Sequence, residues 1–116
     1  MQSLKNKFFK SISNHQILIF FQNNIPIGQI TFNKLNINIY TICYSINPYF
    51  NDYESILFLV QQGLKIFSKK YNNSTFICYI DFKDELSIKI FNKLYFYAII
   101  TKINKIKVYK FTKNYE

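Results

Sequence analysis

The chain has 116 residues, of which 49% are hydrophobic and 20% aromatic, and its formal net charge is +9. This length and apolar content predict one folded domain with a modest core and exclude an intrinsically disordered chain. All fifteen basic residues are lysines, spread along the chain beside abundant Asn, Ile, Tyr and Phe. An AT-rich genome imposes this bias on any protein, so the charge alone does not indicate nucleic-acid binding.

Targeting and redox signals are few. The longest apolar runs, at residues 17–21 and 94–100, fall far short of the roughly 20 residues that span a bilayer, and no signal-peptide pattern opens the chain. Cys43 and Cys78 both lie in predicted buried strands, which favours free thiols in a reducing cytoplasm over a disulfide framework. We therefore expect a cytoplasmic protein without a membrane span or a metal site.

The first elements read as one helix and three strands. Apolar residues at helical spacing predict a short amphipathic helix over residues 2–12. Strands are predicted over about 16–22, 27–32 and 37–46, with turns at 23–26 and 33–36. Gly28, inside the second strand, leaves a spot where another group can approach closely.

The stretch from residue 46 to 67 organises the rest of the chain. A strand ends before Pro48, a polar loop follows, and Asn51 is the predicted cap of the next helix, with Glu54 as its capping-box partner. The predicted inner face of this helix consists of Ile56, Val60, Leu64 and Phe67. Strand, polar loop and helix form the geometry in which a helix N-terminus binds an anion, although an ordinary turn has the same pattern.

The second half predicts a crossover and a closing hairpin. The apolar run at 75–80 indicates a strand buried on both faces and parallel to the strand ending at 46. A second helix is predicted over 87–94, with Ser87, Phe91 and Leu94 on its inner face, and strands over 95–101 and 105–111 close the chain. The fold class is therefore α/β (α+β), a mixed sheet of about six strands with a central parallel pair and two to three helices.

Short motifs over residues 15–112 resemble the Gcn5-related N-acetyltransferase (GNAT) superfamily. Ile27-Gly28-Gln29-Ile30 matches its strand motif, Ile46-Asn47-Pro48 its Ile-x-Pro strand end, and Leu59-Val60 the Leu-Leu pair eleven and twelve residues after the proline. Residues 84–96 match the closing motif Asn-x-x-Ser-x-x-x-Tyr-x-Lys-Leu-Gly-Phe in most positions. The resemblance implies a single GNAT-like domain over 1–116, with a core at 15–112 and a helical remnant of the acceptor-side region at 1–14.

The resemblance also implies a chemistry. Acetyl-CoA would enter a gap between the strands at 37–46 and 75–80, and its acetyl group would pass to a primary amine, such as that of an amino sugar. Backbone groups near Ser45 and Ile46 would hold the pantetheine arm, and the loop at 51–56 would face the pyrophosphate. The implied cofactor positions are Ser45, Ile46, Asn51, Asp52, Tyr53, Glu54, Ser55, Ile56, Asp84 and Ser87.

Several departures fall on these functional positions. The family's phosphate-loop glycines are missing, and Asp52 and Glu54 bring negative charge instead. One carboxylate about 6 Å from one phosphate charge costs roughly 3 kcal/mol of binding free energy at an effective dielectric of about 20. The family's catalytic tyrosine falls on Phe91, which has no proton to donate. Tyr44 and Tyr79 are the nearby hydroxyls that can substitute as catalytic groups, unless both are ordinary buried aromatics.

Two functions remain open at this stage. One is a weakened acetyl-CoA-dependent N-acetyltransferase, either a whole enzyme or a fragment of a longer one, with a small amine as its acceptor. The other is a catalytically inactive GNAT-like interaction or structural module, without an acceptor. A homodimer is compatible with both, and nucleic acid is not an expected partner.

Overall fold

The computed structural model describes residues 6–12 and 15–115. The chain forms seven strands, two α-helices and a short 3-10 helix within these ranges. In chain order they are β1 (Asn6–Ile12), β2 (His15–Gln22), β3 (Ile25–Asn36), β4 (Ile39–Ile46), the 3-10 helix Pro48–Phe50, α1 (Tyr53–Lys70), β5 (Ser74–Asp81), α2 (Glu85–Lys93), β6 (Tyr97–Ile103) and β7 (Ile106–Tyr115).

All described strands belong to one mixed sheet of order β1-β2-β3-β4-β5-β7-β6. Neighbouring strands are antiparallel except β4 and β5, which are parallel and are joined by α1. The predicted fold class, a mixed sheet with a central parallel pair and flanking helices, is confirmed. The sheet has a seventh strand because residues 6–12, which were predicted to be helical, form β1.

Residues 6–12 form strand β1, so the prediction of a helical acceptor-side remnant is wrong for this segment. β1 pairs with β2 along its whole length, from Asn6 opposite Phe21 to Ile12 opposite His15. An isolated helix of this length is marginal in water, whereas the edge of β2 offers a partner for the backbone along the whole segment. The remainder of the predicted helix, residues 2–5, lies outside the described residues.

Asparagines make the sharp turns of the antiparallel half. Asn23 and Asn24 have φ of 51° and 65°, and Asn38 has φ of 60°, a left-handed conformation that asparagine tolerates better than most residues. The turn predicted at 33–36 is wrong, because β3 continues to Asn36 and the chain reverses at 37–38 instead. A left-handed residue is needed at the reversal, and Asn38 supplies it.

The core lies between the sheet and both α-helices, and α1 supplies much of it. The four residues predicted for the inner face of α1 are all buried, and the ring of Phe67 stacks on Phe32 with centroids 4.0 Å apart. Gly63 brings the helix close to β3, since a Cβ at this position would lie 2.6 Å from Ile30 Cγ2. Aromatic stacking and close helix packing therefore hold α1 on β3 and β4.

The two cysteines differ in exposure. Cys78 is buried on β5, as predicted, whereas Cys43 on β4 is exposed, and both are free thiols. Tyr40 and Ile42 face the core, and strand alternation turns Cys43 to the opposite face. The prediction that both thiols are buried is therefore wrong for Cys43. In the described part of the chain, neither helix has the length and apolarity that a bilayer crossing requires.

Candidate functional site

The parallel strands β4 and β5 separate along their length and open a cleft. They pair only at their beginnings, where Ile39, Tyr40 and Thr41 lie opposite Thr75, Phe76 and Ile77. Beyond these pairs lies a cavity of about 360 Å³. Its walls are Cys43, Tyr44, Ser45 and Ile46 of β4, Cys78, Tyr79 and Ile80 of β5, and Asn51, Ile56, Asp84, Leu86 and Ser87 near the starts of the two helices.

The end of β4 stays with β3 rather than with β5. Its pairing with β3 continues to Gly28 opposite Ile46, and the Asn47 N–H then donates to the Ile27 carbonyl at 2.7 Å. A Cβ on Gly28 would collide with the Ser45 carbonyl oxygen, so the close approach predicted at this glycine is confirmed. Glycine at this position lets β4 follow β3 closely. The other edge of β4, which faces β5, has no strand partner beyond Thr41 among residues 6–12 and 15–115.

Helix α1 begins beside the cleft, and Asp52 rather than Asn51 caps it. The Asp52 Oδ1 atom accepts from the Ser55 N–H at 2.8 Å, and the Ser55 hydroxyl donates to Oδ2 at 3.1 Å. The prediction of Asn51 as cap is wrong because the 3-10 helix, capped by Asn47, lengthens the loop by one turn. Asn51 ends that turn and lines the cavity instead.

This cap places the chain's own carboxylate at the helix end where an anion would bind. Asp52 accepts the N–H of Ser55, and Glu54 adds a second charge in the first turn. Both side chains are exposed to solvent, so water screens them. At a dielectric near 80, one carboxylate about 6 Å from a phosphate charge costs only about 0.7 kcal/mol of binding free energy, or about threefold in affinity. A partly buried carboxylate at the same distance would cost about a hundredfold.

On the other side of the cleft, three side chains form a hydrogen-bonded chain. The Asp84 carboxylate caps α2, accepting from the Ser87 N–H at 3.1 Å and from the Ser87 hydroxyl at 2.7 Å. The hydroxyls of Ser87 and Tyr44 are also hydrogen-bonded to each other. Ser87 is buried, at 2% exposure, so this bond links the start of α2 to β4 in the interior.

The environment of Tyr44 keeps its hydroxyl protonated. Burial is the main cause that raises the pKa of this hydroxyl above its ordinary value of 10.0. The hydrogen bond with Ser87 lowers the pKa, and the charge of Asp84 raises it. Because Ser87 donates its proton to Asp84, the Tyr44 hydroxyl donates to Ser87. Tyr44 is therefore a fixed, protonated member of the chain rather than a free hydroxyl in the cleft.

The tyrosine position of the closing motif does not reach the cleft. Phe91 is fully buried, with its ring 4.9 Å from that of Phe96 and 5.9 Å from that of Phe111. A tyrosine hydroxyl placed here would meet the core, where an unpaired hydroxyl costs about 1–3 kcal/mol. Phe91 is thus a core residue in this fold.

The remaining predicted residues separate into two groups. The first group lines the cavity and contains Tyr79 and the implied cofactor positions Ser45, Ile46 and Ile56. Tyr79 is 41% exposed. Asp52, Tyr53, Glu54 and Ser55 lie in the first turn of α1 and do not line the cavity.

Cys78 and Ile80 of β5 are two of the four cavity residues that sequence reasoning did not assign to the site, the others being Cys43 and Leu86. The only available signal was their position on the second strand of the parallel pair, two residues apart. Burial raises the pKa of the Cys78 thiol from 9.0 to about 12, so this wall of the cleft is uncharged at neutral pH. Cys78 therefore contributes shape to the cleft rather than a nucleophile.

No protein-family model and no curated protein matches this chain. Solved structures do match it, among them RimL, a ribosomal L7/L12 alpha-N-protein acetyltransferase in complex with coenzyme A, with a TM-score of 0.75 and 13% identity over 88% of this chain and 63% of that one. The spermidine/spermine N-acetyltransferase SpeG from Vibrio cholerae matches with a TM-score of 0.75 and 11% identity, over 88% of this chain and 68% of that one. A ribosomal-protein-S5-alanine acetyltransferase from Vibrio fischeri matches with a TM-score of 0.74 and 12% identity, over 89% and 63% of the two chains.

These matches confirm the resemblance to GNAT acetyltransferases at the level of the fold. The chain spans about two thirds of the length of the matched structures, 63% of RimL and 68% of SpeG. Identities of 11–13% leave activity, cofactor and acceptor to be argued from the residues of the cleft.

Proposed function

We propose that the protein is an N-acetyltransferase that binds acetyl-CoA weakly and acetylates a primary amine. The separation of β4 from β5 is the observation that supports this function best. It opens a cavity of about 360 Å³ beside an edge of β4 that, in the described part of the chain, has no strand partner beyond Thr41. An unpaired strand edge binds an extended ligand that carries amide groups, as the pantetheine arm of coenzyme A does.

The residues of the cleft fit this arm. The backbone near Ser45 and Ile46 borders the cavity, and the side-chain walls are mostly apolar or uncharged. When bound, acetyl-CoA supplies an activated acetyl group. The protein orients it along β4, where a backbone N–H can stabilise negative charge on the thioester oxygen.

Tyr44, Ser87 and Asp84 hold the cleft open rather than transfer protons. Their hydrogen bonds tie the start of α2 to β4 across the region where β5 has diverged. The pKa of Tyr44 is raised above 10.0, so the hydroxyl is a poorer acid than the thiol of coenzyme A, which has a pKa near 8.5. Tyr44 is accordingly a positioning residue.

Tyr79 is the hydroxyl that remains for proton donation. It lines the cavity, is 41% exposed, and lies on the strand opposite Ser45. A thiolate leaves readily near neutral pH, so we expect its protonation to contribute less than the 10²–10⁴-fold typical of general acid catalysis. In this proposal Tyr79 replaces the family's tyrosine, whose position is held by the buried Phe91.

Weak cofactor binding follows from the first turn of α1. Asp52 already satisfies the Ser55 N–H, and the Asp52 and Glu54 carboxylates repel phosphate groups. We expect Asp52→Asn with Glu54→Gln to bind acetyl-CoA about three- to tenfold more tightly than the parent, as measured by isothermal titration calorimetry. Asparagine is as good an N-cap as aspartate, so this pair removes charge while keeping the helix start.

The matched control is Asp81→Asn with Glu85→Gln. It removes the same charge from residues that do not line the cavity and are not part of the α1 start. Equal tightening in both double variants would show a general effect of net charge and contradict the role assigned to Asp52 and Glu54.

The second candidate is a catalytically inactive module. The Asp52 cap and the burial of Phe91 favour it, because both replace features of an acetyltransferase with ordinary structural contacts. Two negative results would support this candidate, in both the parent and the Asp52→Asn, Glu54→Gln variant. Titration with acetyl-CoA to millimolar concentration would release no heat, and the ligand would not raise the melting temperature. If binding is observed, release of the free thiol in the presence of amino sugars, polyamines and peptide N-termini identifies the acceptor class.

A further inference from the structure

A second cavity lies far from the cleft and is lined by lysines. It has a volume of about 390 Å³ and opens between the C-terminal halves of α1 and α2 and the end of β7. The lysine pocket, as we name it, is defined by Lys65, Lys69, Lys93, Lys113, Tyr95 and Tyr115. Gln61, Ser68 and Leu94 complete the lining, and none of the described lining residues is acidic.

The acidic residues among residues 15–115 lie at the opposite end of the two helices from the lysine pocket. Among residues 15–115 there are five, at the start of α1, at the end of β5 and at the start of α2. Asp52 and Lys65 are thirteen residues apart along α1, or about 20 Å at 1.5 Å per residue, beyond the range at which charges interact strongly in physiological salt.

Attraction to the helix C-termini explains only part of the cluster. Lys69 and Lys93 lie in the last turns of α1 and α2, where the helix dipole favours cations. Lys65 lies a turn earlier in α1, so the helix end does not explain its position, whereas Lys113 of β7 donates to the carbonyl of Leu94, the C-cap of α2. Like charges around one cavity repel each other unless an anion binds between them.

Lys113 and Tyr95 meet at the C-terminal end of α2 and place a cation and an aromatic ring in the pocket. The Lys113 ammonium donates to the Leu94 carbonyl at 2.7 Å and lies 4.8 Å from the Tyr115 ring centroid and 5.8 Å from that of Tyr95. Tyr95 adopts a left-handed backbone, φ 66°, while its side chain is 82% exposed. This conformation ends α2, since the Tyr95 N–H donates to the Asn92 carbonyl and the Phe96 N–H to the Phe91 carbonyl, and it leaves the Tyr95 ring exposed beside the lysines.

We propose that the lysine pocket binds a nucleotide, with the lysines on its phosphates and the exposed Tyr95 ring against its base. Several ammonium groups match a polyphosphate, and an exposed aromatic ring offers a stacking surface for any base. A cavity of about 390 Å³ is within the range of small-molecule sites. The nucleotide is either free or part of a single-stranded RNA.

The test is a titration of the full chain with ATP, with inorganic tripolyphosphate and with a short uridine oligonucleotide, followed by fluorescence and calorimetry. Lys65→Gln with Lys93→Gln should weaken ATP binding about tenfold or more, because two phosphate contacts are lost. The control, Lys102→Gln with Lys107→Gln, removes equal charge from the β6–β7 hairpin and should change affinity less than about twofold.

The variant Tyr95→Gly tests the proposed contact with the base separately from the contacts with the phosphates. Glycine adopts a φ of 66° without steric strain, so the variant should be at least as stable as the parent. It should weaken ATP about fivefold and leave tripolyphosphate unchanged. An oligonucleotide that binds more tightly than ATP identifies RNA as the source of the nucleotide, and the reverse order identifies a free nucleotide.

Three results would overturn the proposal: no binding of ATP or oligonucleotide at millimolar concentration, equal weakening by the two lysine pairs, or unchanged ATP affinity in Tyr95→Gly. None of these depends on the acetyltransferase proposal, because no residue of the lysine pocket lines the cleft. Acetyl-CoA binding through the cleft should persist in both lysine variants.

Discussion

The two helices that border the cleft begin with the same local motif in different surroundings. Asp52 is followed after two residues by Ser55, and Asp84 after two residues by Ser87. In both cases the carboxylate accepts from the serine N–H, at 2.8 Å and 3.1 Å, and from the serine hydroxyl, at 3.1 Å and 2.7 Å. The capping chemistry is therefore the same at both helix starts.

The difference lies in what contacts the serine. The Ser55 side chain is bonded within its own exposed turn, whereas Ser87 is buried and its hydroxyl also bonds Tyr44 of β4. The first motif only starts a helix. The second motif also attaches its helix to the wall of the cleft, so an identical short sequence has a local role in one place and a long-range role in the other.

The largest expected contrast is between the two aspartates. Asp84→Ala should lower the free energy of unfolding by about 2–3 kcal/mol, because it removes a cap and a hydrogen bond of the buried Ser87 hydroxyl. Asp52→Ala should lower it by about 1 kcal/mol, the ordinary value of an exposed cap. Urea unfolding of both variants measures the contrast, and equal losses would show that the bond to Tyr44 adds nothing to the α2 cap.

The serines should show a smaller contrast in the same direction. Ser87→Ala should lower the free energy of unfolding by about 1–2 kcal/mol, since it leaves the half-buried Tyr44 hydroxyl without its protein partner. Ser55→Ala should change it by less than about 0.5 kcal/mol, as is usual at the surface. A larger loss at Ser55 than at Ser87 would contradict the assignment of the long-range role.

The smallest effect concerns pH. Tyr44→Phe should cost about 1 kcal/mol near neutral pH, through loss of one hydrogen bond. In the parent, the raised pKa of Tyr44 means that its stabilising contribution is present below the unfolded value, near 10, and is lost as pH rises through the higher folded value. The stability difference between parent and variant should therefore shrink above about pH 10, as measured by urea unfolding at several pH values. A constant difference would show that the pKa of Tyr44 is the same in the folded and the unfolded protein.

Local patterns in the sequence predicted the parallel pair, the crossover helix and the close approach at Gly28, because each follows from residues near one another in the chain. Apolar spacing defined the inner face of α1, and Pro48 marked the end of β4 within two residues. The same local reasoning failed for residues 6–12. Their apolar spacing suits a short helix, and only the neighbouring edge of β2 makes a strand the better conformation.

The cleft was predicted through family resemblance, and its chemistry was decided by contacts between distant parts of the chain. Sequence showed that Phe91 lacks a hydroxyl, but only packing against Phe96 and Phe111 showed that the position belongs to the core. Tyr44 and Ser87 are 43 residues apart, so their bond could not be read from either motif. Local propensity thus determined most of the elements, whereas the tertiary structure decided which side chains are buried, exposed or joined, because burial and long-range hydrogen bonds exist only once the sheet and helices have packed together.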